Sequence, residues 1–107
     1  MTIEGYEGSE RILLSYDVSG ATRPQAARVC HIVFGRTRRT GNEGAKERIE
    51  KGFIHRPGVV WVGQSVLVLP PRDAEELRHK LRALGVRVSD CPVGITTFGL
   101  RAFRRPR

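Results

Sequence analysis

The sequence has no apolar run approaching the roughly 20 residues that a membrane-spanning helix requires, so no membrane partner is expected. Its opening residues, MTIEGYEGSE, lack both the basic start and the apolar core of a secretory signal. They carry Glu4, Glu7 and Glu10 without a base, and residues 1–10 read as an acidic lead-in expected to lie against basic parts of the chain. Cysteine is scarce. Cys30, on the apolar face of a predicted helix, and Cys91, just past a predicted strand, read as buried thiols of a reducing, cytoplasmic compartment rather than as a disulfide. The four closely spaced ligands of a structural zinc site are missing. There is no phosphate-cradling glycine loop, so nucleotide hydrolysis is not expected. His31, His55 and His79 fall in unrelated contexts, without Ser-His-Asp logic.

What is present is a segregated positive charge. Residues 36–56 hold seven Lys/Arg against three Glu, and residues 101–107 hold four Arg and no acid. These two segments account for the whole formal charge of +8, and the remaining residues balance eight bases against eight acids. Charge spread for solubility has no reason to collect in this way, whereas a surface that holds a polyanion does. The candidate nucleic-acid contacts are therefore Arg36, Arg38, Arg39, Lys46, Arg48, Lys51 and Arg56 in the first segment, with Arg101, Arg104, Arg105 and Arg107 in the second. Arginine outnumbers lysine among them nine to two. That favours phosphate, because the guanidinium fork pairs with phosphate at two points and stacks on bases. Phe53 and Phe103 sit among these cations, either as stacking platforms for unpaired bases or as anchors to the core.

At 107 residues the chain has room for one two-layer core. Residues 11–18 form an apolar run that reads as a buried central strand. Thr22 and Gln25 make a capping box with Pro24 in the first turn, and Ala26, Val29, Cys30, Val33 and Phe34 repeat along one helical face up to Gly35. Segment 36–56 reads either as an extended hairpin arm turning at 41–44 or as a short helix capped by Asn42. Residues 59–62 and 65–69 form two strands, or one strand bent at Gly63. A second helix is expected from an Asp73 cap and a Glu76 capping box, burying Ala74, Leu77, Leu81 and Leu84 up to Gly85. Arg78, Lys80 and Arg82 lie on its other faces and read as a charged solvated face or as a second nucleic-acid surface. Residues 86–90 alternate as a strand, Cys91-Pro92 is expected to break it, and 93–98 to continue as an edge strand. This order predicts an α/β protein in the sense of an α+β two-layer sandwich, ferredoxin-like βαββαβ. One domain would cover residues 11–98 with the basic arm inserted, followed by a basic tail at 99–107. Its open sheet face or edge would serve for dimerisation.

Tyr16-Asp17-Val18-Ser19 and Gln64-Ser65-Val66 resemble the small CRISPR-associated ferredoxin-like proteins that partner the spacer integrase, and the virulence-associated toxin D ribonucleases look similar. The likeness covers residues 11–35 and 59–98. The chain departs from that pattern in its adjacent Gln64 and Ser65, and in the arm at 36–56. The resemblance implies that Asp17 is a catalytic, metal-binding carboxylate and that a two-fold homodimer brings two Asp17 together around Mg²⁺ for phosphodiester cleavage. Asp90 would add support if its strand lay beside the first. An Asp before Ser-Gly also caps turns, which leaves a non-enzymatic RNA-binding or ribosome-associated protein, or an adaptor for an acidic protein, as alternatives.

Overall fold

The computed structural model describes residues 10–40 and 46–104. Along the chain these form β1 (Glu10–Asp17), α1 (Arg23–Phe34), β2 (Gly35–Thr40), β3 (Lys46–Lys51), a 3-10 turn (Phe53–His55), β4 (Val60–Gly63), β5 (Val66–Leu69), α2 (Pro71–Ala83), β6 (Arg87–Gly94) and α3 (Thr97–Arg101). β1 pairs antiparallel with β5 on one side and along its whole length with β6 on the other. β4 adds beyond β5 to give a four-stranded antiparallel sheet in the order β4-β5-β1-β6.

Alternation along the strands divides the apolar residues between the two faces. Leu14, Tyr16, Leu67, Leu69 and Val88 pack with Val29 and Val33 of α1 and with Ala74, Leu77 and Leu81 of α2. Val60 and Val68 pack on the opposite face, where Leu100 of α3 covers them and Leu13, Val62 and Val93 stay half-buried. Because both faces of β1 are partly covered, its sequence shows a continuous apolar run instead of strict alternation. The molecule is an α+β protein, with two long helices on one face of the sheet and a single-turn helix on the other.

The first helix follows its sequence signals closely. The Thr22 hydroxyl accepts from the Gln25 backbone N–H at 3.3 Å, and the Gln25 side-chain Oε1 accepts from the Thr22 N–H at 2.8 Å. Gln25 Nε2 also donates to the Leu84 carbonyl at 3.1 Å, tying the start of α1 to the end of α2. The helix stops at Gly35, whose φ of 84° takes the chain out of the sandwich. There the chain enters the hairpin version of the basic arm. β2 and β3 pair from Gly35–Lys51 to Thr40–Lys46, and this ribbon shares no ladder with the main sheet. Its root is tight: a Cβ at Gly35 would fall on the Glu50 carbonyl, and one at Gly52 on the backbone of Val33 to Gly35. The expected arm turn at 41–44 and most of the acidic lead-in lie outside the described residues.

Several expectations are corrected. Helix α2 starts at Pro71 with Pro70 as its N-cap, so Asp73 stands in the first turn and caps nothing. The fixed φ of proline preorganises the first helical position, and that moves the start three residues upstream. The strand at 86–90 does not break at Cys91-Pro92. β6 runs through Pro92 to Gly94, which is possible because it is an edge strand. Residues 97–101 are helical rather than extended, started by the Thr96 hydroxyl accepting from the Gly99 N–H at 2.9 Å. The domain therefore reaches past 98 into the expected tail, since Leu100 is buried. Both cysteines are free and exposed, not buried. Cys30 lies on the rim of a shallow apolar pit between α1 and the β4–β5 turn.

Candidate nucleic-acid interface

The ribbon's register sets its electrostatics. Arg36 stands opposite Glu50 and Arg39 opposite Glu47, while Arg38 stands opposite Arg48. Directly opposed like charges destabilise an antiparallel pair, whereas opposite charges support it. In register, the ribbon thus has two rungs of opposite charge and one Arg–Arg rung. Nothing apolar holds it down: Ile49, its one large hydrophobic residue, is 71% exposed, and Arg48 and Lys51 are exposed as well. A six-residue strand spans about 20 Å, so the ribbon reaches that far from its root at Gly35 and Lys51. Lys46 opposes Thr40 at the outer end.

The arm's root forms a different environment. Arg36 Nε donates to Glu50 Oε2 at 3.3 Å, and its Nη1 lies 3.3 Å from His31 Nδ1. Arg56 donates through Nη1 to Asp73 at 3.1 Å and through both Nη atoms to Glu76, at 3.1 and 2.9 Å. Its guanidinium also lies 3.9 Å from the centroid of the Phe53 ring. The hydrogen bonds that Arg56 donates to Glu76, the strongest influence, hold the Arg56 pKa above its usual value. The same contact holds the Glu76 carboxyl below the ordinary glutamate value. Phe53 is 4% exposed within the main core, so it is an anchor and offers no ring to a base.

Between α1, this root and α2 runs a groove of about 510 Å³, whose walls include Arg28, Arg36, Lys51, Arg56 and Lys80 above a floor of Phe53 and Ile32. Arg28 was not among the sequence candidates for binding, whereas Lys80 was read with Arg78 and Arg82 as a solvated face or a second nucleic-acid surface. The four-residue spacing of Arg28, Ile32 and Arg36 was the available signal, since it follows one flank of α1 into the arm. The approach of Lys80 is tertiary and left no local signal.

The structure does not bring the arm and tail cations together. Arg36, Lys51 and Arg56 lie at the arm root beside α1, whereas exposed Arg101 and Arg104 follow α3, which packs on the other face of the sheet. Phe98 and Phe103 are exposed beside them, at 86% and 54%. Arg105 and Arg107 lie outside the described residues. Arg78, on α2, is engaged by Asp90 at 2.6 Å.

Asp17 ends β1 exposed, with Oδ1 accepting from the Ser19 N–H at 2.8 Å. Bonds from Ser19 dominate in lowering its pKa, and Arg87, its cross-strand partner, contributes. Asp90 is opposite Leu14, three positions along β1, and so projects from the other face. It does not support Asp17 within one chain. Among the described residues no group of three or more His, Cys, Asp or Glu is placed to hold a metal. Asp17 is thus not part of a ready-made cluster of metal ligands among the described residues. No described helix is long and apolar enough to cross a membrane. Comparison with family models, curated proteins and solved structures finds no match to this chain, so the reading of function rests on its geometry.

Proposed function

We propose that this protein binds nucleic acid, RNA or DNA, through the hairpin arm. The observation that carries the reading is the register that sets Arg38 opposite Arg48 on a ribbon that shares no ladder with the main sheet and leaves Glu47, Arg48 and Ile49 exposed. Folding such an element concentrates like charge with little apolar burial in return, and a phosphate backbone lying along it relieves that repulsion. The ribbon itself is free of aromatic residues and Phe53 is buried, so the contact is electrostatic rather than built on stacking. Replacing Arg38 and Arg48 together by Ala should weaken oligonucleotide binding at low salt by more than tenfold while leaving the thermal unfolding of the sandwich unchanged. Full-strength binding by that variant would overturn the reading.

The scaffold is read as ferredoxin-like. With the arm set aside, the four sheet strands lie in the order second, third, first, fourth, all antiparallel, and the two long helices follow the first and third of them. That order supports the βαββαβ reading; the likeness to the CRISPR-associated family and a cytoplasmic homodimer are proposed on the sequence motifs alone. α3 narrows the sheet face available for dimerisation, because Leu100 already covers Val60 and Val68. A second reading, a metal-dependent nuclease dimer, draws on one observation: Asp17 is exposed with its carboxyl favoured in the ionised form. Mg²⁺ would supply charge stabilisation at a phosphodiester, and Asp17 is the residue of this chain that would hold it. Mg²⁺-dependent cleavage that disappears in Asp17→Asn, with binding retained, supports the nuclease. Binding without turnover by the native protein supports a non-enzymatic RNA-binding or ribosome-associated role.

A further inference from the structure

Beyond the arm, the groove at its root collects cations from separate parts of the chain. Arg28 comes from α1, Arg36 and Lys51 from the two strands of the ribbon, Arg56 from the segment after the 3-10 turn and Lys80 from α2. On a convex surface such residues would be an ordinary solvated face. Here they line a concavity in which five cations face one acid, Glu50, over a low-dielectric floor that focuses the field instead of dispersing it. Phe53 and half-buried Ile32 provide that floor.

The five cations divide into two kinds. Arg36 and Arg56 are positioned: Glu50 and His31 hold the first, and Asp73, Glu76 and the Phe53 ring hold the second. Each guanidinium has five N–H donors, so both keep donors after those contacts. Arg28, Lys51 and Lys80 are exposed and, among the described residues, take part in no ion pair, although Lys80 lies close enough to Glu76 to lower its pKa further. The acids at the root are therefore committed to fixing two arginines, and three cations remain for a ligand. An anion with several acceptor oxygens suits this mixture of fixed forks and mobile ammonium groups.

We infer that this groove is a phosphate seat. It takes a phosphodiester of the nucleic acid whose neighbouring phosphates lie along the ribbon, and this assignment to a polymer rests on the nucleic-acid reading above. Arg28 and Lys80 carry the site across the two helices, so the path of the polyanion runs from the ribbon onto the α1–α2 surface and not toward the α3 tail. A volume of about 510 Å³ is within the usual range of small-ligand sites and admits one phosphate with its flanking sugars.

The test uses the full chain and the double variant Arg28→Gln/Lys80→Gln, whose changes are on exposed helix positions and keep good helix formers. A fluorescein-labelled RNA oligonucleotide and a DNA duplex are titrated across a salt series, and pyrophosphate is titrated separately with amide chemical shifts as the readout. The seat requires the slope of log affinity against log salt to become shallower by about two in the variant, with affinity falling on the order of tenfold. It also requires pyrophosphate to shift the amides of Ile32, Phe53 and Lys80 in the native chain and not in the variant. Native polymer binding with an unchanged slope in the variant, and no pyrophosphate shifts, overturns the seat and leaves the arm reading standing. Pyrophosphate shifts without any polymer binding leave the seat and overturn the nucleic-acid reading. Failure of both probes on the native chain overturns both.

Discussion

The guanidinium of Arg56 joins three parts of the molecule at one point: the Phe53 ring beneath it and Asp73 and Glu76 of α2 at its edges. It fastens the segment that returns from the arm to the second helix, and much of its capacity is spent inside the fold. The contact depresses the Glu76 pKa below its ordinary 4.5. A carboxyl whose folded-state pKa is depressed stabilises the fold above its unfolded value and loses that contribution as pH falls through the folded one. Thermal stability should therefore decline as pH drops below 4.5, and Glu76→Gln should remove part of that decline. Because both partners are more than a third exposed, the contribution is about 1 kcal/mol or less. Parallel stability profiles for the native and Gln proteins between pH 6 and about 3 would contradict the assignment. Nothing in the local sequence announced this contact. Asp73 and Glu76 matched a capping box, and only the position of Arg56 in space shows what they do.

At the level of elements, the most legible parts were those whose signals are local. The Thr22–Gln25 box, the glycine at the end of α1 and the Ala74–Leu77–Leu81 stripe each rest on residues a turn apart, and each is found as read. The last stretch was less legible. Residues 93–98 are rich in β-branched side chains, but Thr96 starts a helical turn and Leu100 finds the sheet. A short apolar run does not distinguish a strand from a turn of helix by its periodicity. The arm was legible as basic and protruding, and its hairpin form agrees with one of its two readings. Because the ribbon shares no ladder with the sheet, it is also separable. Replacing residues 37–49 by a short glycine-containing turn, while keeping Arg36 and Glu50, should leave the unfolding free energy within about 1 kcal/mol of native, since an isolated hairpin is marginal by itself. The same change should abolish oligonucleotide binding. Loss of cooperative unfolding in this variant would show that the arm is part of the core.

For the whole molecule, charge and fold divide the chain differently. The sandwich is close to neutral by composition, and the excess lies on the ribbon and past α3. The sequence shows that division, but it does not show that the two basic segments lie on different sides of the sheet, or that α1 and α2 add Arg28 and Lys80 to the first. Both follow from strand order and helix packing, which bring residues far apart in sequence into one groove. The central claim is that this surface holds a phosphate backbone, and the salt dependence of oligonucleotide affinity tests it most directly. With about six phosphates engaged, affinity should fall on the order of a thousandfold between 50 and 200 mM monovalent salt. An affinity that does not change over that range would contradict the account.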